Sequence, residues 1–534
     1  MAKLQTRSLE LLMKDNRGRS VTISILSGLW MSFAAAPFSF WWLAWIALVP
    51  LWVMSVRGTD LKVRLPLIPS ALQSSVLPFV WGIAYHGSTL HWITGLHPLT
   101  WMGIPWVASV AIVAFAWSFI TLWGVACVCL WAWGMRWMGR MNVAPGLRML
   151  VGTALWCGSE IVRQQTPLDW TSLSFTQSPH NLAILQLGQL SGSMTVTAAI
   201  VAVNGLLAEA WIQKRDRETG KRGTSYFITA VALFLTLHLA GFFMYGQPLV
   251  ESSAVKVGII QGNVPTRIKL FSQGLRRALD GYSQGYQRLV DQNVDVVLTP
   301  EGSLPFLWEE PNRSQNPIYK AIVEKRVPAW IGTFMREGTH YTQSLVAISP
   351  NGETLSRFNK VKLVPLGEYI PFEDTIGKLI GRLSPIKSSM LPGSMDQHFD
   401  TSFGRAAVGI CYESAFPELF RSQVAAGAKF LITASNLDPY NTVLMEQHQA
   451  HDVMRAVETD RWIVRATNTG YSGIVDPHGR IQWRSQPYQY ELHAGVIHPR
   501  ETQTLYVKWG NWLLPVLTIA STIGLLIHLI YRAS

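Results

Sequence analysis

Apolar stretches of membrane-crossing length constrain this chain more than any other feature. Eight are present, at 21–38, 39–56, 74–94, 103–132, 147–163, 186–211, 226–246 and 509–531. A bilayer core takes about 20 apolar residues per helix. Between the seventh and eighth stretches lies one long polar block. The chain has 534 residues, too many for one ordinary core. The division expected is therefore a membrane part over 1–246, a polar domain over 247–508, and a last crossing with a short tail over 509–534. Pro37 stands between the first two stretches and predicts a tight hairpin there.

Basic residues orient such a bundle, because short cytoplasmic loops collect Lys and Arg. The N-terminal tail carries Lys3, Arg7, Lys14, Arg17 and Arg19. Alternate loops carry Arg57, Lys62 and Arg64, then Arg136, Arg140 and Arg148, then Lys214, Arg215, Arg217, Lys221 and Arg222. The intervening loops are almost free of them: 95–100 has none and 163–185 has only Arg163. The alternation predicts cytoplasmic termini and an extracytoplasmic polar domain. The 23 Trp suit membrane interfaces. The net charge of +12 is then a topology signal, and the basic run 214–222 reads as a solvated loop beside anionic headgroups, with no nucleic-acid partner. A cleaved signal peptide at 21–38 is disfavoured, since a second apolar segment follows at once. Glu160 and Glu209 are the visible ionisable residues in the helices, too few for a transporter reading.

From Val255 the pattern changes. Short β-branched runs at 255–263, 295–301, 329–334, 344–352, 405–413, 430–436 and 462–468 read as strands, with helices at about 274–292 and 442–458. Buried strands alternating with helices indicate an α/β domain. Residues 370–400, rich in Pro, Gly, Ser and Met, read as loops able to gate a site.

Of four cysteines, Cys127, Cys129 and Cys157 lie in apolar segments and read as small core residues. Cys411 ends a strand in Ala-Val-Gly-Ile-Cys-Tyr-Glu (407–413), where a nucleophile has the next backbone N–H at hand for an oxyanion. Glu301 ends Val-Val-Leu-Thr-Pro-Glu (296–301) and is a candidate base, or a helix-capping or surface carboxylate. Lys360 is a candidate oxyanion stabiliser or a solvated lysine, with Lys362 its competitor. Three such residues at the ends of separate apolar strands suit covalent acyl transfer. His448 and His451 lack a third ligand at recognisable spacing, so a polar helix face is expected and no metal. No phosphate-binding loop is evident.

The order Glu–Lys–Cys resembles the nitrilase superfamily. Thr-Pro-Glu-Gly-Ser-Leu-Pro (299–305), Asn-Lys-Val-Lys-Leu-Val-Pro-Leu-Gly-Glu-Tyr-Ile-Pro (359–371) and Gly-Ile-Cys-Tyr-Glu (409–413) resemble its membrane branch, the apolipoprotein N-acyltransferases. The resemblance implies an eight-helix transmembrane bundle plus an α/β nitrilase-like αββα sandwich. It implies Glu301 as base, Lys360 as oxyanion stabiliser and Cys411 as nucleophile. Glu368, Tyr412 and Glu413 would support the site. The family usually has Asp and then a Trp-Phe-Gly-like sequence after Ser435-Asn436. This chain has Leu437-Asp438-Pro439-Tyr440-Asn441, leaving Asn436 and Tyr440 as substrate-loop candidates.

The implied activity lies at the outer face of a bacterial inner membrane. An acyl group would pass from a phospholipid, through a Cys411 thioester, to the N-terminal amine of a diacylglyceryl-modified apolipoprotein, with no cofactor. Two alternatives share the sequence: a membrane-tethered amidase using water, and a non-catalytic scaffold for a polyprenol-phosphate glycosyltransferase. The intact Glu301–Lys360–Cys411 set argues against the scaffold.

Overall fold

A helix that is apolar on every side must lie against other helices or lipid. The computed structural model describes residues 2–58, 75–214, 220–250, 253–269, 271–309, 312–365, 367–369 and 390–533. Among these, four helices are long and apolar enough to cross a bilayer: Trp106–Arg140, Ser193–Lys214, Lys221–Tyr245 and Leu513–Arg532. Ser193–Lys214 is mostly enclosed by its neighbours, whereas Lys221–Tyr245 and Leu513–Arg532 turn Leu239, Phe242, Phe243, Ile519 and Ile530 outward. Large apolar side chains facing out suit a lipid surrounding, and the chain is a membrane protein.

The other expected segments are helical but interrupted or more polar. The first helix, Ala2–Ala34, stops just ahead of Pro37, where the break was expected. Residues 39–56 form a chain of short helices ending in Val49–Arg57. Val76–Gly82 passes into a wider π turn at Ile83–Gly87. Pro145–Gln164 holds buried charge. The segment expected to begin at 186 starts its long helix only at Ser193. Lys62, Arg64, Arg215 and Arg217 lie outside the described residues, as do 370–389 of the expected gating loops.

Two arginines read as loop charges have other roles. Arg148 is buried and its guanidinium meets Glu209 at 2.5 Å. Arg163, the exception to the charge alternation, is buried between Glu160 and Asp169 at 3.8 and 3.7 Å. An apolar interior tolerates such charges only in pairs. Asn204 stitches two segments, donating to Ala44 O at 2.9 Å and accepting from Leu48 N at 3.0 Å. Trp52 fits between helices because Gly152 and Gly205 face it: a Cβ at either would come within 2.5 or 2.8 Å of its ring.

Among the described residues the polar block holds twelve strands: β1 Val255–Gln261, β2 Val296–Leu298, β3 Ala329–Glu337, β4 His340–Ile348, β5 Thr354–Asn359, β6 Phe399–Thr401, β7 Gly404–Ile410, β8 Phe430–Ser435, β9 Ile463–Thr467, β10 Gly473–Val475, β11 Ile481–Arg484 and β12 Glu491–Ile497. They form two six-stranded sheets, ordered β12-β1-β2-β3-β4-β5 and β11-β10-β9-β8-β7-β6. Each has a parallel centre, β1-β2-β3 or β7-β8-β9, flanked by antiparallel strands. Val257, Ile259, Leu298 and Trp330 of the first sheet share one core with Val408, Ile410, Ile432 and Val464 of the second. Trp330 stacks on Phe430, ring centres 5.5 Å apart. The opposite face of the first sheet, with Ile260, Val297 and Ile331, packs on Tyr282, Tyr286 and Ile322 from helices Ser272–Val290 and Pro317–Lys325. Helices Pro417–Ala425 and Thr442–Thr459 follow β7 and β8. The result is an αββα sandwich.

Candidate active site

The three candidate residues leave strand ends and meet between the sheets. Glu301 follows β2, Lys360 follows β5 and Cys411 follows β7. Only β2 and β7 are the apolar strands expected. β5 is a largely exposed edge strand whose burial begins at Phe358, so periodicity gives it little signal. Glu301 can turn out of β2 because Gly332 on neighbouring β3 has no side chain; a Cβ there would lie 2.0 Å from Pro300 O. Cys411 has φ +59°, a left-handed backbone that a side chain rarely adopts. Such strain at a strand-to-helix turn is common where a nucleophile must project.

Lys360 is fully buried, not a solvated lysine. Its Nζ donates to Glu301 Oε1 at 2.9 Å and to Glu368 Oε1 at 2.6 Å. Burial alone would discharge the amine, but Glu301 and Glu368 hold it well above its ordinary value. Lys362, its competitor, is turned over the Phe416 ring at 5.3 Å. Glu301 is also held by Asn436 N–H, which donates to Oε2 at 2.8 Å, so it is neither a cap nor a surface group. Glu368 Oε2 accepts from Val364 N at 2.8 Å, fixing the turn that carries it.

Burial pushes the Cys411 thiol above its ordinary value and the Glu301 charge adds to this, while Lys360 and the Asn436 N–H pull it back. At neutral pH the thiol keeps its proton, and attack on a carbonyl needs a base to remove it. The Glu301 carboxylate, buried and hydrogen-bonded, is among the charges that act on this thiol.

Glu413 ties the Lys360 and Cys411 turns together. Its Oε1 accepts from Val361 N and Lys362 N at 2.6 and 2.8 Å, and its Oε2 accepts from Ile410 N at 2.6 Å. Burial pushes its carboxyl up to about 7 against these donors. Tyr412 OH donates to Leu363 O at 2.8 Å, and its ring lies 5.8 Å from Lys360 Nζ. Tyr440 packs edge-on against Trp92, ring centres 5.6 Å apart, so the loop after β8 touches the apolar half of the chain.

Residues 27–206 match the apolipoprotein N-acyltransferase N-terminal domain, and residues 256–497 match the carbon-nitrogen hydrolase family. The apolipoprotein N-acyltransferase of Nostoc sp. (strain PCC 7120 / SAG 25.82 / UTEX 2576) is 51% identical over 504 residues, 94% of this chain and 98% of that protein. The chain belongs to the apolipoprotein N-acyltransferase family. The Synechocystis sp. (strain ATCC 27184 / PCC 6803 / Kazusa) member is 42% identical over 94% of this chain and 99% of its own length. That of Geobacter metallireducens is 27% identical over 92% of each.

In this member of the apolipoprotein N-acyltransferases, some residues near the site escaped the sequence reading. Lys269 is buried, with Nζ 3.3 Å from Glu301 O, and burial lowers it to about 8 against the pull of Glu301 and Asp438. Asp438 accepts from Thr266 N at 2.7 Å, and Asn436 Nδ2 donates to Thr266 Oγ1 at 3.1 Å. The Gly-Asn-Val-Pro-Thr segment after β1 is thus tied through Thr266 to the loop after β8. His448 and His451 do not form a polar face: both are buried in Thr442–Thr459, where nearly every side chain from Leu444 on is enclosed.

Proposed function

We propose that this protein moves a fatty acyl group from a phospholipid to the α-amine of the N-terminal S-diacylglyceryl-cysteine of lipoproteins, a step in lipoprotein maturation. The observation that carries this reading is the convergence of Glu301, Lys360 and Cys411 in one buried site, in a chain whose helices turn apolar surface outward. The names of the relatives supply the acceptor class.

In the first step Glu301 takes the Cys411 proton as Sγ attacks the donor ester carbonyl. Lys360 Nζ–H stabilises the oxyanion. Collapse breaks the ester C–O bond, Glu301 returns the proton to the leaving alkoxide, and a lysophospholipid departs. In the second step the acceptor amine attacks the thioester and gives a proton to Glu301. Collapse breaks the C–S bond, and that proton restores the Cys411 thiol. A buried site retains the thioester for the amine by limiting water. Glu368 and Glu413 hold Lys360 and the Cys411 turn in place, with Tyr412 packed beside them. Asn436 and Tyr440 belong to the loop facing the substrate.

The eight apolar segments would form the membrane bundle. Residues 1–246 would carry seven crossings, 247–508 the extracytoplasmic catalytic domain and 509–534 the eighth. Both termini would be cytoplasmic, in a bacterial inner membrane. The alternating basic loops support this, although Arg148 and Arg163 drop out of the count.

The test is intact mass spectrometry after incubation with mixed phospholipids, with Cys411→Ala as control. An acyl mass on the wild type, removed by hydroxylamine and chased onto a diacylglyceryl-cysteine peptide, is expected. No adduct under conditions that trap thioesters overturns the reading. A thioester that releases only fatty acid moves it to a water-using amidase.

A further inference from the structure

The left-handed turn at Cys411 is secured from behind. His448 Nε2 lies 2.8 Å from the Cys411 carbonyl oxygen. On the other side of the ring, Nδ1 meets the Arg465 guanidinium, which is paired in turn with the Asp452 carboxylate. Thr433 Oγ1 donates to the same carboxylate at 3.0 Å, and Arg465 Nε donates to Tyr471 O at 2.9 Å. His448, Arg465 and Asp452 are all buried.

This arrangement fixes the tautomer. A guanidinium only donates, so Nδ1 presents its lone pair to Arg465. The ring proton then sits on Nε2 and points at the Cys411 carbonyl. Burial, and after it the neighbouring Arg465 and His451, keep the imidazole neutral. A trans peptide points its C=O and the following N–H in opposite directions. Anchoring the Cys411 carbonyl therefore also sets the direction of the Tyr412 N–H, the backbone donor next to the nucleophile. The Trp170 ring, from the segment after the Pro145–Gln164 helix, stacks on His448 at 5.9 Å and 4°, bracing it from the membrane half.

We propose that His448 is a positioning residue for acyl transfer: by donating from Nε2 to the Cys411 carbonyl, it holds the nucleophile's turn and the Tyr412 N–H in the geometry that carbonyl attack needs. This rests on the acyl-transfer reading of Cys411 but not on the identity of the donor. Arg465 and Asp452 act through His448 by setting its tautomer.

The test uses the full-length protein in detergent and the pre-steady-state burst of p-nitrophenolate from p-nitrophenyl octanoate, which reads carbonyl attack without any lipid. His448→Leu removes the donor. His448→Gln keeps a nitrogen donor in a similar place. The burst is expected to slow by about ten-fold or more in His448→Leu, the scale for loss of an oxyanion-aligning contact. In His448→Gln it is expected to stay within about three-fold of wild type. A wild-type burst rate in His448→Leu overturns the proposal. So does equal slowing in both variants with equal loss of Tm, which would mark a packing role alone. A wild-type burst with no acyl-enzyme from phospholipid vesicles would remove the lipid-donor reading and leave this one standing. No burst in the wild type would remove both.

Discussion

Lys360 Nζ sits 2.9 Å from Glu301 Oε1, with both side chains withdrawn from water. The same Nζ meets Glu368 Oε1 at 2.6 Å, so two carboxylates share one amine. An amine buried alone would lose its proton and cease to stabilise an oxyanion. Glu301 and Glu368 keep the Lys360 amine charged, the form its proposed oxyanion role requires.

Removing one partner therefore harms fold and chemistry together. Lys360→Met leaves Glu301 and Glu368 without the amine that both contact. Such a change is expected to destabilise by about 3–5 kcal/mol and to slow acyl-enzyme formation by about 10² or more. Thermal unfolding and burst kinetics on the same preparation measure the two effects.

The Cys411 thiol gives a pH signature. Its folded pKa is raised by burial and then by Glu301 above the ordinary 9.0. Below that value both folded and unfolded chains hold the proton, and the thiol's contribution to stability is fully present. Above it the unfolded chain releases the proton while the folded one does not, so stability is lost as pH rises. The Tm of wild type relative to Cys411→Ala is expected to fall between pH 8 and pH 10.5, values chosen about the reference thiol range.

Glu413 accepts from three backbone N–H groups with two carboxylate oxygens. Glu413→Gln keeps the shape but turns an NH₂ toward one set of donors. A loss of about 1–3 kcal/mol is expected, the scale of one buried unpaired group. The burst from a soluble ester should slow as well, since the carboxylate joins the turns carrying Lys360 and Cys411. Chemical unfolding and the burst assay check this.

Substitutions at Tyr440 and Trp92 are expected to separate lipid access from chemistry. Their edge-to-face contact is worth about 0.5–1.5 kcal/mol and joins the loop after β8 to the apolar half. Tyr440→Ala is expected to raise KM for a phospholipid donor by about 2- to 13-fold, the same energy expressed as a ratio. The p-nitrophenyl ester burst should remain near wild type. Adding Trp92→Ala should give less than the sum of the single effects, which a double-mutant cycle on KM would read.

The sequence alone carried the division into apolar segments and one polar block, the break before Pro37, seven strands of the α/β domain and the order Glu301, Lys360, Cys411. These are legible because hydrophobicity and turn chemistry are local properties of the chain. The strands it did not reveal are short or lie at sheet margins: β5 exposes most of its residues, and β12 reaches the sheet only by pairing antiparallel with β1 from far along the chain. Polar residues were read least well. Arg148 looked like a loop charge and is the partner of Glu209; His448 looked like one side of a polar face and is locked between Arg465 and the Cys411 carbonyl. A sequence shows that a side chain is polar, but whether it meets water or a buried partner depends on which distant strand or helix packs against it. Tertiary structure decided that, because a polar group can be buried only where folding supplies the hydrogen bonds and countercharge that water would have given.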